Sequence, residues 1–135
     1  MAYSGFLIKV GDYIIPDDKY IFLKSYNVTR NVQDLDSYRD ANGVLHRTAL
    51  EHAPVKVEFE TPPMLTDITF GELMWNISRN YINYSERKVL ATVYVPELNE
   101  YITQEMYMPD PKTSIYGTKD GRIYYNAIRF AFIGY

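Results

Sequence analysis

The sequence predicts a mainly β protein of the α+β class: an antiparallel β-sandwich or barrel with one flanking helix at about residues 67–82 and a long projecting β-hairpin at about residues 21–61. Tyrosine, which favours strands, occurs 14 times in 135 residues. Several segments alternate apolar and polar side chains with period two, and one segment has apolar side chains at helical spacing. Because no repeat, linker or low-complexity tract interrupts residues 1–135, we expect a single domain.

The first half of the chain is predicted to be strands. Short strands in "GFLIKV" and "GDYIIP" are joined by a turn at Gly11-Asp12, and the second ends at Pro16. The alternation in "YIFLKSYNVTRNV" predicts one long strand. Its expected partner is "APVKVEFET", which places Val55, Val57, Phe59 and Thr61 on one buried face.

A single helix follows the double proline of "ETPPML". Thr69-Phe70-Gly71-Glu72 has the capping-box spacing, with Thr69 as N-cap and with Ile68 and Leu73 as hydrophobic staple. The predicted buried stripe consists of Phe70, Leu73, Met74, Ile77 and Tyr81. Trp75 lies off the centre of this stripe, so we expect it to pack at the edge; the alternative is exposure to a partner.

The second half is again predicted to be β. "RKVLATVYV" and "EYITQEMYM" form a hairpin through a Pro96–Asn99 turn. "PDPKTSIYGTKDGR" is predicted to be a loop with an Asp120-Gly121 turn near its end. "IYYNAIRFAFIGY" is predicted to be one final strand, with Tyr124, Ile128, Phe130 and Phe132 on one side.

Composition narrows the classes of function. A net charge of -3 argues against a sequence-independent nucleic-acid binder, which needs a basic surface. The lack of cysteine excludes disulfides, thiolate metal sites and a cysteine nucleophile. The start "MAYSGFLIKVGDY" lacks the pattern of a signal peptide, and no apolar run is long enough for a membrane anchor. We therefore expect synthesis and folding in a cytoplasm.

The stretch "SYRDANGVLHRTAL" contains carboxylates and a histidine of the kinds that metal and catalytic sites use. With Gly43 at position 6 of a calcium loop, Asp40 and Asn42 fall at ligand positions, but Tyr38 and Ala49 fall at positions 1 and 12. His46 and His52 would lie too far apart along a strand to share a metal. Phosphate-loop, HExxH and GxSxG motifs are missing, while the scattered carboxylates leave a glycosidase-type pair open. We expect no enzyme activity, metal or cofactor.

The same stretch is better explained as an assembly arm. Asp40-Ala41-Asn42-Gly43 contains the Asn-Gly pair of a tight type I′ turn, and the flanking "SYR" and "VLHR" can pair beyond the body. A disordered solvent loop is the alternative. The candidate intersubunit contacts lie within residues 31–50 and are Tyr38, Arg39, Asp40, Asn42, Gly43, Val44, Leu45 and Arg47.

The arm tip "RDANGVLHR" and the strand ending "VEFETPP" resemble a family of small proteins from siphophage and prophage tail gene clusters of Gram-positive bacteria. The order of elements is also similar to the tail-tube fold. This resemblance implies a virion protein made in the bacterial cytoplasm, with other tail proteins as partners. It also implies a ring, six-fold by analogy, through which DNA passes. The resemblance carries over no catalytic or binding residues.

The sequence therefore predicts a non-enzymatic tail tube or baseplate ring subunit. One alternative is a carbohydrate-binding module at a tail tip, with tyrosines and Trp75 as sugar platforms. Another is a tail completion or assembly factor that leaves the mature particle.

Overall fold

The computed structural model describes residues 3–30 and 33–135. Its strands are β1 (Ile8–Val10), β2 (Tyr13–Ile14), β3 (Asn27–Arg30), β4 (Asp34–Arg39), β5 (Leu45–Ala49), β6 (Val55–Glu60), β7 (Leu65–Thr66), β8 (Lys88–Val95), β9 (Glu100–Tyr107), β10 (Ile115–Lys119), β11 (Arg122–Tyr125) and β12 (Arg129–Gly134). Its helices are α1 (Asp17–Tyr20) and α2 (Asp67–Ser78). Among the described residues, neither helix has the length and apolarity that a membrane span requires.

A seven-stranded antiparallel sheet forms the body, in the order β2-β1-β8-β9-β12-β6-β3. A smaller sheet has the order β10-β11-β7, and β4 pairs with β5 alone. This arrangement confirms the prediction of a β-rich α+β fold with one main helix. The predicted β8–β9 hairpin is present, with Lys88 opposite Tyr107 and Val95 opposite Glu100.

One contiguous core lies between the large sheet, α2 and the small sheet. The strands of the large sheet bury alternate side chains, as period-two patterning requires. These are Ile8, Val10, Val55, Val57, Phe59, Val89, Ala91, Val93, Val95, Met106, Phe130 and Phe132. Helix α2 adds Leu73 and Ile77, and its Phe70 ring lies 6.2 Å from that of Phe130. The small sheet adds Leu65 and the partly buried Tyr125.

The long strand predicted over residues 21–31 is wrong in its first half. A 3-10 turn occupies Leu23–Ser25, and β3 begins only at Asn27. The Ser25 hydroxyl explains the bend, because it donates to the Phe22 carbonyl and accepts from the Glu60 amide at 2.8 Å. Such local side-chain bonds compete with a strand ladder. Pairing of β3 with β6 is confirmed, whereas the predicted end of the strand at residues 31 and 32 lies outside the described residues.

The helix begins at Asp67, as predicted, but its N-cap is three residues before the predicted one. Thr66, not Thr69, is the N-cap: its backbone is extended, and its hydroxyl accepts from the Thr69 amide at 3.2 Å. Glu72 does not complete a capping box and instead lies 4.0 Å from Lys19 Nζ. Ile68, the predicted staple partner of Leu73, is 48% exposed.

The helix ends earlier than predicted, at Ser78. Just beyond it, the Asn80 side chain donates to the Asn76 carbonyl at 2.8 Å and packs on the turn at Gly11. A Cβ at Gly11 would lie 2.4 Å from Asn80 Oδ1, so only glycine allows this approach.

The region after residue 109 was predicted as a loop and one strand, but it contains three strands. β10 and β11 form a hairpin within it, and the final strand is split at Asn126. The Asn126 amide donates to the Ser114 carbonyl at 2.9 Å, which redirects the chain before β12. As predicted, the C-terminal residues are paired: β12 lies between β9 and β6.

Candidate functional site

Residues 33–50 form a two-stranded hairpin, here called the arm. Its base is closed by the Leu50 amide, which donates to the Gln33 carbonyl at 2.8 Å. Every residue of β4 and β5 is exposed, so neither face of this hairpin is covered by the body. Its apolar side chains Leu35, Tyr38, Val44, Leu45 and Leu50 are between 41% and 71% exposed. An isolated two-stranded hairpin is only marginally stable in water.

The arm tip is held by the Asp40 carboxylate. Its Oδ1 accepts from the Asn42 amide at 2.9 Å and the Val44 amide at 3.0 Å. The Gly43 amide donates to the Asp40 carbonyl, and Gly43 alone at the tip has a positive φ, of 79°. This is a three-residue turn with a glycine bulge, so the predicted type I′ turn is wrong. The Asp40 carboxylate stabilises the turn with the oxygens that a calcium loop would need.

The two faces of the arm differ in charge. Asp36, Tyr38, His46 and Thr48 share one side, here called the acidic face, because Asp36 pairs with Thr48 and Tyr38 with His46. The Tyr38 and His46 rings stack at 4.9 Å, and His46 Nε2 lies 3.0 Å from Asp40 Oδ2. The hydrogen bond from His46, with those from backbone amides, holds the pKa of Asp40 below its ordinary value.

The opposite side of the arm carries Arg39, Leu45 and Arg47, so it is basic and partly apolar. Arg47 binds Asp34 with two nitrogens, at 3.0 Å from Nε and 2.7 Å from Nη2 to Oδ1. The hydrogen bonds from Arg47 lower the pKa of Asp34. The pair also links the first residue of β4 to β5, beside the bulge near the base of the arm. The Arg39 guanidinium donates to the Gly43 carbonyl at 2.9 Å. All eight predicted arm residues therefore lie together on the hairpin or its tip.

Trp75 lies on the outer side of α2 and is 61% exposed, which matches the exposed alternative rather than edge packing. The Arg79 guanidinium lies 4.9 Å from its ring centre and covers part of one face. Trp75 lines a shallow hollow of about 260 Å³ with Tyr81 and Tyr84. Tyr84 is 76% exposed, so this hollow presents two aromatic rings to solvent.

Many other tyrosines are structural. The Tyr20 hydroxyl donates to the Thr69 carbonyl at 2.9 Å, and the Tyr26 hydroxyl to the Tyr94 carbonyl at 2.8 Å. Burial raises the pKa of Tyr26 well above its ordinary value, which keeps this hydroxyl a donor. Tyr101 likewise donates to the Phe6 carbonyl at 2.7 Å. These rings pack on one side and hydrogen-bond on the other, as tyrosine suits.

The β10–β11 hairpin and the surface it forms were not predicted from the sequence. Asp120 and Gly121 both have positive φ, of 53° and 75°, and Lys119 pairs with Arg122 across them. This is the two-residue turn with both residues left-handed that was predicted for Asn42-Gly43. The Asp-Gly pair between "SIYGTK" and "RIYY" was the available signal. In the first strand of this hairpin, Gly117 and the flanking polar residues obscured the alternation of apolar and polar side chains.

In the rest of the described residues, few charged or metal-ligating side chains lie close together. Within residues 3–30 and 33–135, no three His, Cys, Asp or Glu side chains come together as a metal site would need. Glu58 lies between Lys56, at 2.9 Å, and Arg129, at 2.6 Å, and these cations lower its pKa. His52 bonds the Tyr135 carbonyl, whereas His46 bonds the Asp40 carboxylate at the arm tip.

No curated protein and no solved structure matches the chain significantly. One family model matches residues 1–135, and its description is a family of unknown function, DUF6711. Since this match covers the whole sequence, the chain belongs to that family.

Proposed function

We propose that this protein is a structural subunit that assembles with further copies of itself through the arm. One observation carries this proposal: β4 and β5 form an ordered hairpin that is exposed on both faces. Ordering about 18 residues costs roughly 1–2 kcal/mol each in backbone entropy, and a hairpin without a core recovers little of it. Burial of Tyr38, Val44 and Leu45 against a second copy would supply the missing apolar contact.

The arm is also suited to association by its chemistry. It presents tyrosine and arginine, which are enriched at protein interfaces, together with exposed aliphatic side chains. Asp40 fixes its turn and the Asp34–Arg47 pair fixes its base, which reduces the conformational entropy that binding has to remove. Both outer strand edges offer unpaired backbone groups for β-augmentation.

The biological setting that we propose is a phage tail, as a tube or baseplate ring subunit with other tail proteins as partners. The proposal of a ring, six-fold by analogy, and of a virion location rests on the resemblance of "RDANGVLHR" and "VEFETPP". A net charge of -3 suits a passive channel wall along which DNA slides without sticking. The proposal includes no enzymatic step.

The test is light scattering coupled to chromatography over a concentration series, followed by negative-stain imaging of large species. We expect the wild-type chain to form rings or short tubes. A variant that lacks residues 37–47 should stay monomeric with an unchanged thermal midpoint, because these residues contribute nothing to the core. A wild-type chain that is monomeric at every concentration would contradict self-assembly, and unfolding of the deletion variant would show the segment to be part of the core.

A second candidate function is glycan binding at the Trp75 hollow. The exposed rings of Trp75 and Tyr84 favour it, since flat aromatic faces stack on sugars. Glycan-array binding that Trp75→Ala removes and Tyr116→Ala leaves intact would support this function. Tyr116 is a matched control because it is equally exposed, at 67%, on another element. An array without signal would count against it.

A further inference from the structure

An open groove lies on the small sheet, at the face turned away from α2. It has a volume of about 380 Å³ and is lined by Met64, Tyr116, Gly117, Thr118, Lys119 and Tyr124. A Cβ added at Gly117 would meet nothing within 4 Å, so the floor of the groove is empty. Met64 on its wall has a positive φ of 71° and is 48% exposed. A left-handed backbone is uncommon for a non-glycine residue.

The groove borders an unprotected sheet edge. β10 has only one neighbour, β11, and its outer backbone groups are free to pair. Ile115 and Tyr116 on this edge are 59% and 67% exposed. An exposed apolar edge is a template for a strand from another chain.

The groove is also positively charged. Lys119 lines it, and Arg122 pairs with Lys119 across the turn. Asp120 is the only acidic residue among residues 112–125. In the described part of the chain, neither Lys119 nor Arg122 forms an ion pair.

The arm carries the complementary surface. Its acidic face presents Asp36 and the 58% exposed Tyr38, with Asp40 at the tip. Asp34 is neutralised by Arg47 and Asp40 is engaged in the turn, which leaves Asp36 as the free carboxylate. The strands on the two sides also match in length, since β4 has 6 residues and β10 has 5.

We propose that the acidic face of the arm docks into the groove of a second copy of this chain, with Tyr38 in the space over Gly117 and Asp36 near Lys119 and Arg122. This inference rests on the proposed assembly function and adds the receptor surface. Arm and groove are different surfaces of one chain, so the contact is head-to-tail. Repetition of a head-to-tail contact gives a closed ring or an open filament.

The first test replaces Tyr38 with photoreactive benzoylphenylalanine and maps intermolecular crosslinks by mass spectrometry. We expect the crosslinked peptide of the second copy to fall within residues 112–125. Crosslinks to any other surface of the second copy would contradict docking into the groove but would leave the assembly role of the arm in place. The absence of intermolecular crosslinks at the highest soluble concentration would overturn both.

Point variants then test the groove itself. Gly117→Leu fills the empty floor without an internal clash and should weaken association at least about tenfold. Gly71→Leu is the matched control, because Gly71 on α2 has equally open space and should leave association unchanged. Equal association of Gly117→Leu and Gly71→Leu would overturn the proposal.

A charge exchange tests the ionic part of the contact. Lys119→Glu and Asp36→Lys should each weaken association, and the double variant should recover most of it. Lys24→Glu makes the same charge change at an exposed lysine of another element and should have no effect. Single-variant losses that the double variant does not recover would contradict a contact between these two residues.

A mixing experiment tests the direction of the contact. A copy that lacks residues 37–47 keeps its groove, and a Gly117→Leu copy keeps its arm. At a concentration where the wild type assembles and Gly117→Leu does not, each variant alone should be monomeric, whereas the mixture should form dimers with one copy of each and nothing larger. A mixture that remains monomeric, or a Gly117→Leu copy that assembles as readily as the wild type, would overturn the head-to-tail arrangement.

Discussion

At the scale of single residues, the core of this protein contains a polar side chain at a position where a buried backbone amide requires a hydrogen-bond acceptor. Thr61 is the one buried polar residue in the described chain and is 1% exposed. Its hydroxyl accepts from the Ile128 amide at 2.9 Å, and its own amide donates to the Ile128 carbonyl. Thr61 was predicted to be buried from period-two alternation, but the pattern did not identify its partner.

Thr61→Val is expected to destabilise the protein by about 1–3 kcal/mol, because the isosteric change leaves the Ile128 amide buried without an acceptor. Chemical denaturation measures this change. Thr92→Val is the control: Thr92 bonds Thr103 on the outer face of the sheet and should change stability by less than about 0.5 kcal/mol. Equal effects of the two variants would contradict the role assigned to Thr61.

At the scale of elements, a strand or helix was predictable from the sequence where the spacing of its own apolar side chains determines it. The β8–β9 hairpin and the apolar stripe of α2 follow from spacing in the sequence alone. The boundaries that were wrong depend on contacts between distant residues, such as Ser25 with Glu60 and Asn126 with Ser114. The arm was predicted from its turn, whereas the groove was missed because Gly117 hides the alternation of β10.

The N-cap of α2 gives a direct test of one correction to the predicted helix. Thr66→Ala should cost about 1 kcal/mol, since it removes the oxygen that accepts from the Thr69 amide. Glu72→Ala should be nearly neutral, because Glu72 makes only an exposed contact with Lys19. Thermal or chemical unfolding measures both. A larger loss for Glu72→Ala would restore the capping box predicted at Thr69.

The arm is expected to lose order in acid before the body does. Its Asp34 and Asp40 carboxylates have pKa values below the ordinary value of 3.8, so their charged forms favour the ordered hairpin. This contribution is complete above that ordinary value and is lost as pH falls through the lowered values. Amide NMR at Val44 should report the loss below about pH 4. In Asp40→Asn the same signal should no longer depend on this titration, and an unchanged pH profile would contradict the assignment.

At the scale of the whole molecule, the fold separates a stable body from an exposed element that has no core of its own. The seven-stranded sheet and α2 bury the apolar side chains, while the arm holds its shape by pairs within itself. A hairpin that is exposed on both faces makes no evident contribution to the stability of a monomer. A ring of copies would cover it and also the β10 edge.

Hydrogen exchange of the arm amides, measured by mass spectrometry as a function of protein concentration, tests the central claim most directly. We expect residues 34–49 to exchange fast in the monomer and to become protected in step with assembly, while the β8 and β9 amides stay protected throughout. Assembly that leaves the arm amides exchanging as fast as in the monomer would contradict its role as the intersubunit contact.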